Sequence, residues 1–208
     1  MWRRQGLHVL ISAAVFAAVA ALLPDASERV WIAMAACVVH HAWVVAWWRP
    51  ELYGKHVTAR FGYPLGFRIY QVGFASLAFV RVSTVWWLAM AEPGGAMLPD
   101  PWRAVATGVM AVAFVSIMAS VKLTFGMERA FGLDHWEPER CRDMGYVARG
   151  LHRFVPNAMY VFAPSALFVA AIWWGSYAAL VVTFANWALL WTHYYCTEKP
   201  DLETIYGS

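Results

Sequence analysis

Charge is what this chain has least of. Sixteen Lys or Arg and thirteen Asp or Glu make up 14% of 208 residues, against about 25% in a soluble domain. Too little polar surface is available to keep such a chain in water. Cysteine is scarce as well: Cys37, Cys141 and Cys196 stand far apart with no CxxC spacing, which argues against a disulfide framework and against a zinc site; no metal is expected. A net charge of +3 is too small to point to a nucleic-acid partner. There is no internal repeat and no low-complexity stretch beyond Ala-rich helix, and the length suits a single domain over 1–208.

Long apolar runs are what is there. A spanning helix needs about 20 predominantly apolar residues. Six segments qualify: 7–23, 30–48, 69–90, 104–125, 155–174 and 176–196. Arg3 and Arg4 before the first run imitate a signal-peptide start, but its extent and the five segments after it favour a first transmembrane helix. The expected fold is all-α: a polytopic helical membrane protein closing on a C-terminal helical hairpin. Pro164 falls inside the fifth span, where a kink is tolerated if a neighbouring group satisfies the carbonyl it frees.

The connectors alternate in charge. Arg3, Arg4, Arg49, Lys55, Arg60, Arg68, Arg129, Arg140, Arg142, Arg149, Arg153 and Lys199 all fall on one side, with Lys122 at the end of the fourth span. The other side holds Arg29 and Arg103. The positive-inside rule therefore predicts cytoplasmic termini and cytoplasmic long loops, as in a bacterial inner membrane. Trp47, Trp48, Trp102, Trp173 and Trp174 near span ends read first as an interfacial aromatic belt. Short turns at Pro24-Asp25 and Pro93-Gly94-Gly95 leave little room for a site on the far face, so function is expected on the cytoplasmic side.

Two polar segments bracket the last hairpin: Arg-Phe-Val-Pro-Asn-Ala-Met-Tyr at 153–160 and Glu-Lys-Pro-Asp-Leu-Glu-Thr-Ile-Tyr-Gly at 198–207. If both helices ran unbroken from Gly175, Arg153 and Glu198 would each lie roughly 33–35 Å from the turn. Asn157 and His193 would share a level about 27 Å from it, with Tyr160 one to two turns deeper. The loop 126–154 and the tail 197–208 would complete the site, the loop adding Glu128, Asp134, His135, Glu137, Glu139, Asp143, Tyr146 and His152. A loop of that length points to a functional segment, although a solvated connector has the same composition.

At these residues the chain resembles the integral-membrane methyltransferases. Segment 153–160 is similar to their Arg-x-x-x-[His/Asn]-Pro-x-Tyr pattern. Glu198-Lys199-Pro200 with Ile205-Tyr206 resembles the terminal Glu-Glu-Pro…Ile-Tyr of the phospholipid branch. Leu202 and Tyr206-Gly207 fit its broader form, and Arg60-Phe61-Gly62 and Phe131–Trp136 look like further stretches of that branch. Ala158 replaces the usual Pro, Lys199 replaces a second Glu, and the fourth span has Gly108 but no Gly-x-Gly. The resemblance implies S-adenosylmethionine as cofactor, held by Arg153, Asn157, Tyr160 and Glu198; His193, level with Asn157, is a further candidate cofactor contact. It implies a lipid or amphiphile as acceptor: preferably the amine headgroup of phosphatidylethanolamine or its methylated derivatives, otherwise an isoprenylcysteine-like carboxylate, a thiol or another small amphiphile.

An amine must lose its proton before attack, so a base is expected. His152 and His135 are the candidates, with Asp134 and His193 behind them; each also reads as an ordinary interfacial residue. Arg60 and Arg81 are the candidate substrate contacts. Arg81 lies within a span, level with His40 and His41, and no span contains an acidic residue to pair with it. It holds a lipid phosphate or a structural carbonyl, or else snorkels outward. The competing classes are a haem- or quinone-binding protein using His40 or His41 with His193, and a non-catalytic lipid-binding relative.

Overall fold

A computed structural model describes residues 2–95, 97–145 and 149–207. Tyr146 lies outside the described residues. The order is α1 (Gln5–Leu22), α2 (Glu28–Gly54), α3 (His56–Phe61), α4 (Tyr63–Ala91) and α5 (Trp102–Ser120), which runs on through a π-helical turn (Val121–Phe125). Short helices α6 (Met127–Ala130), α7 (Leu133–Trp136) and α8 (Pro138–Met144) precede a 3-10 turn (Gly150–Arg153). Then follow α9 (Ala158–Phe162), α10 (Ser165–Trp173), α11 (Tyr177–His193), a second π-helical turn (Tyr194–Glu198) and α12 (Lys199–Tyr206).

Among the described residues, four helices are long and apolar enough to cross a membrane: Gln5–Leu22, Glu28–Gly54, Tyr63–Ala91 and Trp102–Phe125. Their outward faces are hydrophobic, with Val9 69% and Phe79 73% exposed, as a lipid-facing surface requires. The packed interior is built from small and branched side chains. Ala33, Met34 and Cys37 of α2, Val85, Leu88 and Ala89 of α4, Ala170 and Ala171 of α10, and Val182 and Leu189 of α11 form one buried cluster. Small residues let helix backbones approach, which is how helices associate when lipid is as apolar as they are. A second cluster gathers Trp48, Phe67, Tyr70, Leu133 and Trp136, seating α7 against α2 and α4. There Gly132 has φ +81°, and a Cβ on it would stand 2.3 Å from the Trp48 indole.

The fifth predicted span is not one straight helix. Asn157 takes a left-handed conformation (φ 55°), helix starts only at Ala158, and it breaks at Ala163-Pro164. Pro164 has no N–H to give the carbonyl of Tyr160. The indole of Trp187 on α11 donates to that carbonyl instead, at 2.9 Å. The neighbouring helix thus satisfies the carbonyl that the break frees, which is the condition under which such a kink is tolerated. Arg153 consequently sits on the 3-10 turn rather than on a helix reaching back from Gly175.

Arg81 is 8% exposed and does not snorkel. Its Nε donates to the Asn186 side-chain oxygen at 2.8 Å and its Nη2 to the Asn186 carbonyl at 3.1 Å, tying α4 to α11. Asn186 in turn donates to the Val182 carbonyl at 2.9 Å. An Asn supplies what no carboxylate in the spans can. Asn186→Ala is expected to cost about 1.5–3 kcal/mol, the usual range for a bond to a charged group, read as a lower thermal midpoint in detergent. Arg81→Met combined with Asn186→Leu should recover much of it, since an apolar pair replaces a buried charge.

Candidate functional site

One end of the bundle collects the polar side chains, and Arg49 organises it. This residue lies in the last two turns of α2 and is fully buried. Its Nη1 donates to the Arg3 carbonyl at 3.0 Å; its Nη2 donates to the carbonyls of Cys196 and Thr197 at 3.2 and 3.3 Å. The same Nη2 stands 3.3 Å from Asp201 Oδ1 on α12, also fully buried. The Tyr53 hydroxyl donates to Asp201 at 3.0 Å, and His135 Nε2 approaches its other oxygen within 3.4 Å. The start of α1 joins the same end through Arg4 to the Tyr195 carbonyl and Gln5 to the Cys196 carbonyl.

Of the residues singled out in the sequence, Tyr160 and Glu198 are brought together. The buried Tyr160 hydroxyl donates to the Glu198 carboxylate. Glu198 ends the second π-helical turn, a type of distortion frequent at functional sites. Burial pushes its carboxyl above the ordinary value, and the Tyr160 hydrogen bond opposes that shift. Nearby, His135 is buried and stacks on Trp48 with ring centroids 4.0 Å apart. Asp134 accepts a hydrogen bond from the Tyr206 hydroxyl at 2.6 Å, which holds the tail on the loop.

The remaining candidates are dispersed. His152 is buried and stacks on Phe125 at 4.4 Å. Its Nδ1 has no hydrogen-bond partner, and burial lowers its pKa. Phe125 lines a cavity of 710 Å³ together with Glu128, Arg129, Leu133, Arg140 and Arg149. Beside it runs a groove of 530 Å³ lined by Phe114, Val115, Met118, Ala119, Lys122 and Met127; Met127 belongs to both. Arg153 and Arg60 are exposed, their guanidinium groups over the rings of Phe154 and Phe61. Asn157 is half-buried at the start of α9. His193 faces His41 at a ring separation of 4.8 Å, and Arg81 reaches the same place with Nη1 3.5 Å from His41 Nε2.

Sequence reasoning counted Arg49 only toward charge bias and left Asp201 within the tail. Their pairing joins the second helix to the tail, and the available signal was slight: a basic residue directly after a Trp-rich span and an acid directly after Pro200. Comparison with protein-family models, with curated proteins and with solved structures gives no match for this chain.

Removing one partner of a buried ion pair strands the other charge. Asp201→Ala is therefore expected to cost about 3–5 kcal/mol and to speed proteolysis within α12. The exposed Glu139→Ala should leave both the thermal midpoint and the cleavage rate unchanged.

Proposed function

We propose that this chain is an S-adenosylmethionine-dependent methyltransferase working at the membrane interface on a lipid or amphiphile, preferably the amine headgroup of phosphatidylethanolamine or a methylated derivative. The observation that carries this reading is the Tyr160–Glu198 hydrogen bond, which unites the two segments bearing the methyltransferase-like motifs. The polar cavity and the apolar groove sharing Met127, lined by neither Tyr160 nor Glu198, suit the acceptor instead: one has the volume and charge for a headgroup, the other for an acyl chain.

S-adenosylmethionine supplies an electrophilic methyl group on a sulfonium. The rest is positioning, which converts an encounter into a held near-attack geometry. Glu198 accepts hydrogen bonds from ribose hydroxyls or an ammonium, and charge-assisted bonds are the strong kind. Tyr160 fixes its carboxylate. At the cavity wall the exposed Arg149 offers a planar fork to a carboxylate or phosphate, while Arg129 is held by the Gly145 and Cys141 carbonyls and Arg140 by Glu137. His152, kept neutral by burial, has an unpartnered Nδ1 with which to take a proton from the amine.

In this reading α9 with α10, and α11, form the fifth and sixth spans, and both termini face the cytoplasm of a bacterial inner membrane. The charge bias of the connectors supports it, as do the contacts of Arg4 and Gln5 with the residues just after α11. Reporter fusions at the two termini should both report a cytoplasmic location.

Calorimetric titration of the detergent-purified protein is expected to show one S-adenosylmethionine bound per chain. Glu198→Ala should weaken binding about tenfold, and Tyr160→Phe by less. A wild-type protein that takes up no cofactor sinks the proposal. Transfer of radiolabelled methyl to phosphatidylethanolamine vesicles, set against prenylated cysteine, then identifies the acceptor.

The pH dependence has a defined sign. Because Glu198 titrates above its ordinary value, lowering the pH protonates it sooner than a free carboxylate. Cofactor affinity should fall as the pH drops through that raised value, and Glu198→Gln should abolish this dependence.

A further inference from the structure

Three histidines from three helices meet where α1, α2 and α11 converge. His8 lies in the first turn of α1, His41 on α2, and His193 closes α11. One ring nitrogen from each lies within 4.8 Å of the others. Ring centroids are 4.8 Å apart for His41 and His193, 5.7 Å for His8 and His193, and 6.3 Å for His8 and His41. We propose that this cluster is a transition-metal site, with His8, His41 and His193 ligating a borderline cation of the Zn²⁺ type and a fourth position left for water or an anion.

Several observations point the same way. His193 is 3% exposed, and its Nδ1 has no hydrogen-bond partner. A buried, unsatisfied ring nitrogen is costly unless something coordinates it. His8 Nδ1 lies 3.4 Å from the Gln5 side-chain oxygen. Donation of Nδ1–H to that oxygen leaves the Nε2 lone pair free, which is how an outer acceptor orients a metal-bound histidine. Gln5 is itself held, its Nε2 donating to the Cys196 carbonyl and to Thr197 Oγ1, each at 3.1 Å.

Tetrahedral zinc with nitrogens at 2.0–2.1 Å places those nitrogens about 3.4 Å apart. Small side-chain rotations close the remaining gap. The charge nearby is positive rather than negative. Arg81 Nη1 stands 3.5 Å from His41 Nε2 and must yield that contact, while Nε and Nη2 keep their bonds to Asn186. A guanidinium beside the site complements an anionic fourth ligand, and three neutral imidazoles suit a borderline cation better than a hard one. A metal here would also hold α1, in which Val19 is the buried residue, against the bundle.

This inference is independent of the methyltransferase reading, because its readout is metal and not methyl transfer. Metal-stripped protein titrated with Co²⁺ is expected to bind one equivalent and to develop visible d–d absorption, which Zn²⁺ then displaces. His8→Ala, on the half-buried edge of the cluster, should bind Co²⁺ at least about tenfold more weakly. His8→Cys should restore binding, and His40→Gln should leave it intact. Wild-type protein that binds no Co²⁺, or His8→Ala that binds as tightly as wild type, would overturn the proposal. A Soret band in the purified protein that depends on His193 would overturn it in favour of haem.

Discussion

A single guanidinium, that of Arg49, decides where three chain segments end. It is wholly buried, so each of its bonds is made in a medium that penalises an unmet donor. The carbonyls it occupies belong to Arg3, Cys196 and Thr197, and its carboxylate partner to Asp201. The beginning of α1, the end of α2, the second π-helical turn and α12 are therefore fixed by one planar fork. A Lys would not reproduce this: it presents a point charge on a flexible stem in place of a rigid array of donors.

Away from that end the protein is ordered by a different economy. Helices that expose apolar faces gain little from hydrophobic burial once they lie in lipid, and close packing of small side chains takes over. Polar groups are then rare and specific. The Arg81–Asn186 bonds and the Trp187 indole on the Tyr160 carbonyl each remove one unmet group from the interior. Both act between helices, so each fixes packing as it satisfies a charge or a carbonyl.

The first four spans were legible in the sequence because composition alone sets them. α1 starts two residues before its predicted segment and ends one before it does, while the other three helices reach beyond theirs, most at Tyr63 and Gly54, where hydropathy falls but helix continues. The need for a rescuing donor at Pro164 could be foreseen, but not its identity, since Trp187 is one of many Trp near a span. Extrapolating a straight helix back from Gly175 failed only on the earlier arm, where Pro156, the left-handed Asn157 and Pro164 interrupt the path; the later arm stays helical to Glu198. Tyr160 and Glu198 were both singled out by motif, and they touch. Arg153 was singled out with them and is exposed. His41 and His193 were already paired as possible haem ligands, whereas the Arg49–Asp201 pair and the place of His8 beside them escaped notice because they join distant parts of the chain. Periodicity and spacing report only on neighbours.

The contacts of α1 set a timetable. Arg4 bonds a carbonyl 191 residues further along, and Gln5 bonds one equally remote. At typical rates of synthesis the first helix leaves the ribosome about 10–40 s before its partners exist. During that interval Arg49 and His41 of α2 can already reach the residues at its start, but the carbonyls that Arg4 and Gln5 bond do not yet exist. α1 is thus fully locked only after the residues that follow α11 have been made.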